Sequence, residues 1–216
     1  EKTGSAWKLW QKLAAKSRDF GNPIPFCNDI VKTKWESFTV TAKDSTFFDL
    51  LEAFSGSEAG KGGLVTIKDS NWLLTVVLNH QPHYFEQPKD VWVWWGYGLF
   101  PDKEGNFVKK KMSECTGDEI LTEVLSHLRF TEHVQHLLDT SITIPAMMPY
   151  ITSQFMPRTG KDRPQVIPEG SRNLAFIGQY AEIPDDVVFT VEYSVRTAQT
   201  AVFGLLNVDR KVSPFY

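Results

Sequence analysis

The sequence is poor in cysteine, in long apolar runs and in charge of one sign. Only Cys27 and Cys115 occur among 216 residues, far apart and in no paired-cysteine motif. That fits free thiols in a reducing compartment, with a single long-range disulfide as the alternative. No apolar stretch approaches the roughly 20 residues of a membrane-spanning helix. The opening Glu1-Lys2-Thr3-Gly4-Ser5 lacks the basic start and apolar stretch of a secretory leader. A cytoplasmic location is therefore expected. The net charge of -3 gives no basic excess to attract nucleic acid. His80 and His83, and His133 and His136, are each spaced by three. No cysteine lies near either pair and no helical His-Glu motif occurs, so these read as solvated or capping histidines and no metal is expected. A glycine-rich phosphate loop and a serine nucleophile motif are also missing.

Aromatic residues, by contrast, are plentiful at 13%, seven of them Trp. They supply either a rich core or an apolar ligand channel, and the core is the commoner use. Ser5 is placed to cap a helix through about Phe20, stopped by Gly21-Asn22-Pro23. Glu36 to Ala42 alternates, with Phe38, Val40 and Ala42 on one face, and reads as a strand. Asp44 or Ser45 caps a second helix that packs Phe47, Phe48, Leu51 and Phe54. The glycine-rich segment 56–63 reads as a mobile turn.

Three strands follow, at Leu64 to Lys68, Trp72 to Asn79 and Val91 to Tyr97. The run from Trp72 is almost continuously apolar, which predicts burial on both faces. Thr116 with Glu119 three residues on is a capping box opening an apolar-faced helix. A short helix from about Glu132 to Leu138 comes next. Residues Ser141 to Pro168 carry five prolines and read as mostly irregular chain, a length usually kept for function. Asn173 to Ile177 reads as a short buried strand, then Gly178, a loop, and a helix from about Val188 to Leu206. These elements predict an α+β fold in which helices pack on an antiparallel sheet. The expected division is a first region over 1–140 and a second over 141–216.

Two constellations could carry chemistry. A strand ending in Gly178 lets backbone approach a ligand closely, because no Cβ intrudes. A helix starting just beyond offers unpaired N–H groups and a partial positive charge, a site for an anion or a polar ring edge. The alternative is a turn with no ligand, its helix capped by Asp185 or Asp186. Asn79 and His83 form the second constellation. An amide and an imidazole at the rim of an apolar sheet could hold a carboxylate while a tail lies on Trp and Leu surface. The alternative is that Asn79 satisfies turn backbone and His83 is solvated. Lys109-Lys110-Lys111 could touch acidic lipid headgroups, and a solvated loop is the commoner explanation of such a run.

Several long strings carry a resemblance. They are Met147-Met148-Pro149-Tyr150-Ile151-Thr152-Ser153-Gln154-Phe155-Met156-Pro157-Arg158, and Asn173-Leu174-Ala175-Phe176-Ile177-Gly178-Gln179 continuing through Glu182-Ile183-Pro184 to Phe189-Thr190-Val191-Glu192-Tyr193-Ser194-Val195-Arg196. Trp95-Gly96-Tyr97-Gly98-Leu99-Phe100-Pro101-Asp102, Glu114-Cys115-Thr116-Gly117, Trp7-Lys8-Leu9-Trp10 and Phe20-Gly21-Asn22-Pro23 add to them. Over essentially its whole length the chain resembles the oleate hydratase, or myosin-cross-reactive antigen, family, in that family's C-terminal third.

The resemblance implies a fatty-acid hydratase, a lyase adding water across a cis double bond of an unsaturated fatty acid to give a hydroxy fatty acid, with FAD bound. The family's acid and base, a Glu and a Tyr, lie upstream of the region resembled, as does its phosphate-binding fingerprint. No catalytic residue is therefore carried over, and this chain alone is expected to be inactive. By resemblance Gly178, Gln179, Val188, Phe189 and Thr190 close over the flavin. Residues 141–216 then hold the last strand and helix of an FAD-binding α/β domain, and 1–140 the substrate side. Asn79 and His83 match the last two members of the family's Thr-x-Asn-x-x-x-His carboxylate pattern, and Val77 stands at its Thr. Self-association as a homodimer is a further expectation, from apolar surface left on a partial flavin domain. The rival readings are a non-catalytic lipid-binding or interaction module and a related flavoprotein oxidoreductase.

Overall fold

The structure is a computed structural model describing residues 4–62, 64–186 and 190–213. In chain order its elements are α1 (Gly4–Ala14), α2 (Ile24–Cys27), α3 (Ile30–Thr33), β1 (Trp35–Ala42), α4 (Thr46–Ser55), β2 (Val65–Ile67), β3 (Leu74–Val77), β4 (Trp92–Gly98), α5 (Gly117–Leu128), α6 (Val134–Thr140), β5 (Ser141–Met148) and α7 (Val191–Leu205). The fold is α+β, as expected. By chain contacts it divides into two compact units, Lys34–Pro149 and Glu1–Thr33 with Tyr150–Tyr216. The expected boundary lay at 140; in this division β5 goes with the sheet and the first 33 residues go with the last stretch.

In the unit Lys34–Pro149 all five strands form one antiparallel sheet in the order β2-β3-β4-β1-β5. Alternation along β1 puts Phe38, Val40 and Ala42 on the buried face, as predicted. That face packs on Phe47, Phe48 and Leu51 of α4, on Ile120, Leu121, Val124, Leu125 and Leu128 of α5, and on Leu137 of α6. Each such side chain stabilises by about 1.5–3 kcal/mol when withdrawn from water. At the centre the rings of Phe47 and Trp94 stack with centroids 3.9 Å apart. Gly96 in β4 is required there: a Cβ would come within 2.5 Å of the Phe38 ring. The predicted double-sided burial of β3 is found over Leu74, Thr75 and Val76.

The local signals locate several boundaries. Thr116 and Glu119 make the full capping box at the start of α5. Ahead of α4 it is Asp44 whose carboxylate accepts the Thr46 N–H at 3.0 Å, while the Ser45 side chain makes no cap bond.

Four expectations need correction. Ser141–Met148 is a strand, not irregular chain, and pairs with β1 along its full length. It lies at the edge of the sheet, where Pro145 is tolerated because an edge strand needs hydrogen bonds on one side only. The first helix ends at Ala14 and contains Ser5 rather than starting after it. Arg18–Phe20 is instead a separate 3-10 turn, fixed by the Ser17 hydroxyl accepting the Asp19 N–H. Asn173 to Ile177 is not a strand. It has no neighbouring strand among the described residues and makes one backbone bond, Phe176 N–H to Val166 C=O at 2.8 Å. A strand needs a ladder partner. Finally, the last helix starts at Val191 rather than Val188.

The other unit is built around aromatic rings. Trp10 stacks on Phe26 at 5.6 Å, and Tyr180 sets its edge against Phe26 at 5.3 Å and against Trp7 at 5.0 Å. The Trp10 indole N–H donates to the Phe20 carbonyl at 2.6 Å, which satisfies the polar atom of a buried side chain. A smaller cluster of Val166, Ala181 and Ala201 packs the inner face of α7.

Candidate functional site

Gly178 sits in a turn at φ +101°, a conformation that favours glycine. Among the described residues, no heavy atom beyond its two chain neighbours lies within 4 Å of where its Cβ would be, so one side of the turn is open to them. The other side is held by α7. The Gly178 N–H donates to the Thr197 hydroxyl at 2.8 Å, and that hydroxyl donates in turn to the Ser194 carbonyl at 2.6 Å. One turn earlier on the same helix face, the Tyr193 hydroxyl donates to the Ala181 carbonyl at 2.6 Å and accepts the Ile183 N–H at 3.2 Å. Tyr193 and Thr197 are buried. Burial raises the Tyr193 phenol above its ordinary range, so it stays a donor near neutral pH. At the end of the loop Arg196 donates to the Asp186 carboxylate at 2.5 Å.

The helix start differs from expectation. Thr190 is the N-cap residue in extended backbone and its side chain makes no capping bond. Its hydroxyl interacts instead with Glu192, whose carboxyl lies below its usual range chiefly for that reason. Val188 and Phe189 lie outside the described residues. The first turn of the helix thus begins at Val191. The Asp186 carboxylate meets Arg196, and the chain between Asp186 and Thr190 lies outside the described residues.

Asn79 and His83 lie just beyond β3 in the sheet unit. Asn79 is half-buried and His83 exposed, with its ring 4.6 Å from that of Tyr84. Their side chains do not hydrogen-bond each other. Two glutamines that the sequence did not single out hold this loop. Gln81 donates to the Val93 carbonyl at 2.8 Å and accepts the Val93 N–H at 3.1 Å, imitating a short piece of strand. Gln87 donates to Gln81 at 2.8 Å and accepts the His83 N–H at 2.8 Å. Val77, at the end of β3, pairs with Trp95 of β4. The lysine run is exposed and pairs locally: Lys110 with Glu119 at 2.6 Å and Lys111 with Glu114 at 3.2 Å.

Two buried carboxylates also escaped the sequence. Glu123, fully buried on α5, accepts the N–H groups of Asn106, Phe107 and Val108 at 2.6, 3.0 and 2.7 Å and so ties down that loop. Glu36 is 6% exposed, and its Oε2 has no hydrogen-bond partner among the described residues. Burial pushes its carboxyl up to about 7, against the pull of Lys34. The signal for Glu36 was present, because it shares the parity of Phe38, Val40 and Ala42. For Glu123 the sequence offers none, since its partners are backbone amides of a distant loop.

The chain is thus α+β, with a glycine turn held by its last helix and, among the described residues, open on one side. Comparison with known proteins narrows the class. A family model described as the MCRA family matches residues 1–203, and the chain belongs to that family. It is 45% identical over 219 residues to a protein named "Oleate hydratase" from Streptococcus pyogenes serotype M49 (strain NZ131), covering 97% of this chain and 37% of that protein. It is 31% identical over 222 residues to a "Linoleate hydratase" from Lactiplantibacillus plantarum, covering 95% of this chain and 39% of that protein. The chain thus spans less than half the length of these curated relatives.

Proposed function

We propose that this chain is part of an FAD-dependent hydratase that adds water across a cis double bond of an unsaturated fatty acid. One observation carries the reading: 45% identity, over nearly the whole chain, to a protein named for hydration of oleate. In this reading Gly178, Gln179 and the start of α7, with Val188, Phe189 and Thr190, form one wall of the flavin site. What supports this is the open flank of Gly178, where a flat ring could lie against backbone without meeting a side chain. The N–H of Gly178 is engaged by Thr197, so this wall offers surface rather than a donor.

Asn79 and His83 take the fatty-acid carboxylate, on a loop that Gln81 and Gln87 hold beside the apolar end of β3. The half-buried Asn79 amide and the exposed His83 ring suit a charged headgroup at the rim of the sheet. Val77 offers no hydroxyl to add to this pair. The sheet unit then serves the substrate and the other unit the cofactor. The acid and base of the reaction belong to the rest of the protein, so the isolated chain has no hydratase activity.

The experiment is to incubate the whole protein, and separately this chain, with oleate and FAD and to analyse the lipid by mass spectrometry. The expected result is a hydroxy acid from the whole protein alone. Absence of product from the whole protein refutes the reading, and comparable product from the chain alone refutes the assignment of the acid and base elsewhere.

A further inference from the structure

We propose that Thr197 and Tyr193 are positioning residues that set the shape of the glycine turn for flavin binding, an inference that rests on the flavin wall assigned above. Residues four apart on an α-helix lie on one face, one turn above the other. In α7 that face carries Tyr193, Thr197 and Ala201, all buried. A buried face is usually aliphatic, because an unmatched hydroxyl inside costs stability. Here the two hydroxyls are fully engaged: outside the helix they meet backbone groups of one turn, and Tyr193 also accepts from Arg163 Nη1 at 3.4 Å.

Thr197 takes the N–H of Gly178, and Tyr193 takes the carbonyl of Ala181 and the N–H of Ile183. The carbonyl of Gly178 meanwhile accepts the Ala181 N–H at 3.3 Å. Both polar groups of Gly178 are therefore engaged within the chain. With them satisfied, neither competes for a ligand, and a flat ring could lie against the Cα on the open flank. Glycine at φ +101° has many alternative conformations, so something must select this one. The Thr197 hydroxyl is the group placed to do so.

Thr197→Val keeps the volume and branching and removes only the hydroxyl. Loss of one such hydrogen bond corresponds to about a 2- to 12-fold change in an equilibrium constant. The test uses the full-length protein and titrates FAD, following flavin fluorescence, with the absorbance band of the bound flavin and the far-ultraviolet circular dichroism recorded alongside. The expected result is that Thr197→Val and Tyr193→Phe each weaken FAD binding by about 3- to 10-fold and shift the flavin band, with unchanged secondary structure. Thr197→Ser, which retains the hydroxyl, restores both. A merely structural hydroxyl would lower the melting temperature and leave the flavin band and affinity of the folded protein unmoved, and that outcome overturns the inference. If the parent binds FAD and Gly178→Val binds it as tightly, the wall itself is misassigned and the inference falls with it. If the parent and Thr197→Val bind alike while Gly178→Val does not, the wall stands and the positioning role is refuted.

Discussion

Replacing Glu36 with Gln should make this protein more stable near neutral pH. Glu36 lies on the helix-facing side of β1, with Oε2 unpartnered and its carboxyl raised from 4.5 to about 7 by burial. The charged groups acting on it are Lys34, which favours ionisation, and Asp102, which opposes it. Lys34 is itself held by Asp102 at 2.7 Å, so its charge is shared.

The sign follows from proton counts. Between pH 4.5 and about 7 the unfolded chain has released this proton and the folded chain still holds it. Rising pH therefore favours unfolding over that window. The contribution is fully present below 4.5 and is lost as pH rises through about 7. At 1.36 kcal/mol per pH unit the loss is at most about 3 kcal/mol. Water reaching the carboxylate would lower it, so about 1–3 kcal/mol is the working range, roughly 2–10 °C in melting temperature.

Gln has the same shape and no proton to lose. Asp44 and Glu119, whose carboxyls lie below the usual range through hydrogen bonds from Thr46 and Lys110, impose the opposite slope in acid, and they do so equally in parent and variant. The difference between the two proteins therefore isolates Glu36. Urea unfolding at several pH values from 4 to 8, followed by tryptophan fluorescence, is the assay. The two should coincide near pH 4, separate progressively above pH 4.5 and differ by a constant amount above about pH 7, the variant being the more stable. Parallel curves, or a variant less stable at pH 8, would refute the reasoning.

Other outcomes are equally specific. Glu123→Gln puts an amide N–H₂ against backbone donors that now bond a carboxylate, and should cost about 3–5 kcal/mol in urea unfolding; a loss under about 1 kcal/mol contradicts the anchoring role. In the full-length protein Asn79→Ala and His83→Ala should raise KM for oleate more than they lower kcat, as expected for uniform binding of a headgroup; unchanged kinetics in both removes the carboxylate assignment. Gly178→Val should weaken FAD binding more than Thr190→Ala, because it fills the open flank and strains a positive φ, whereas Thr190 keeps its backbone. Equal binding by both variants, measured by flavin fluorescence, points the flavin elsewhere.

The sequence made the central strands and α5 legible because local chemistry and tertiary packing agree there. Alternation in β1, the apolar run of β3 and the Thr116–Glu119 box each mark an element without reference to the rest of the chain. β5 was missed because Pro145 and the prolines that follow the strand argue against a strand in isolation, and only the position at the sheet edge makes Pro145 acceptable. The opposite error arose at Asn173 to Ile177, where apolar composition suggests a strand that has no ladder partner among the described residues. At the site, Gly178 was legible from its place between an apolar run and a helix. Thr197 and Tyr193 were not, because a hydroxyl on a helix face gains meaning only when a turn distant in sequence folds against it.

The proposed activity of the whole protein is addition of water to a fatty-acid double bond. The direct measurement is to incubate the full-length protein with oleate and FAD in water enriched in heavy oxygen and to weigh the product. The account predicts a hydroxy acid carrying the heavy oxygen, with no net consumption of an oxidant. Unaltered oleate, or a product formed only with matching loss of an electron acceptor, would contradict it.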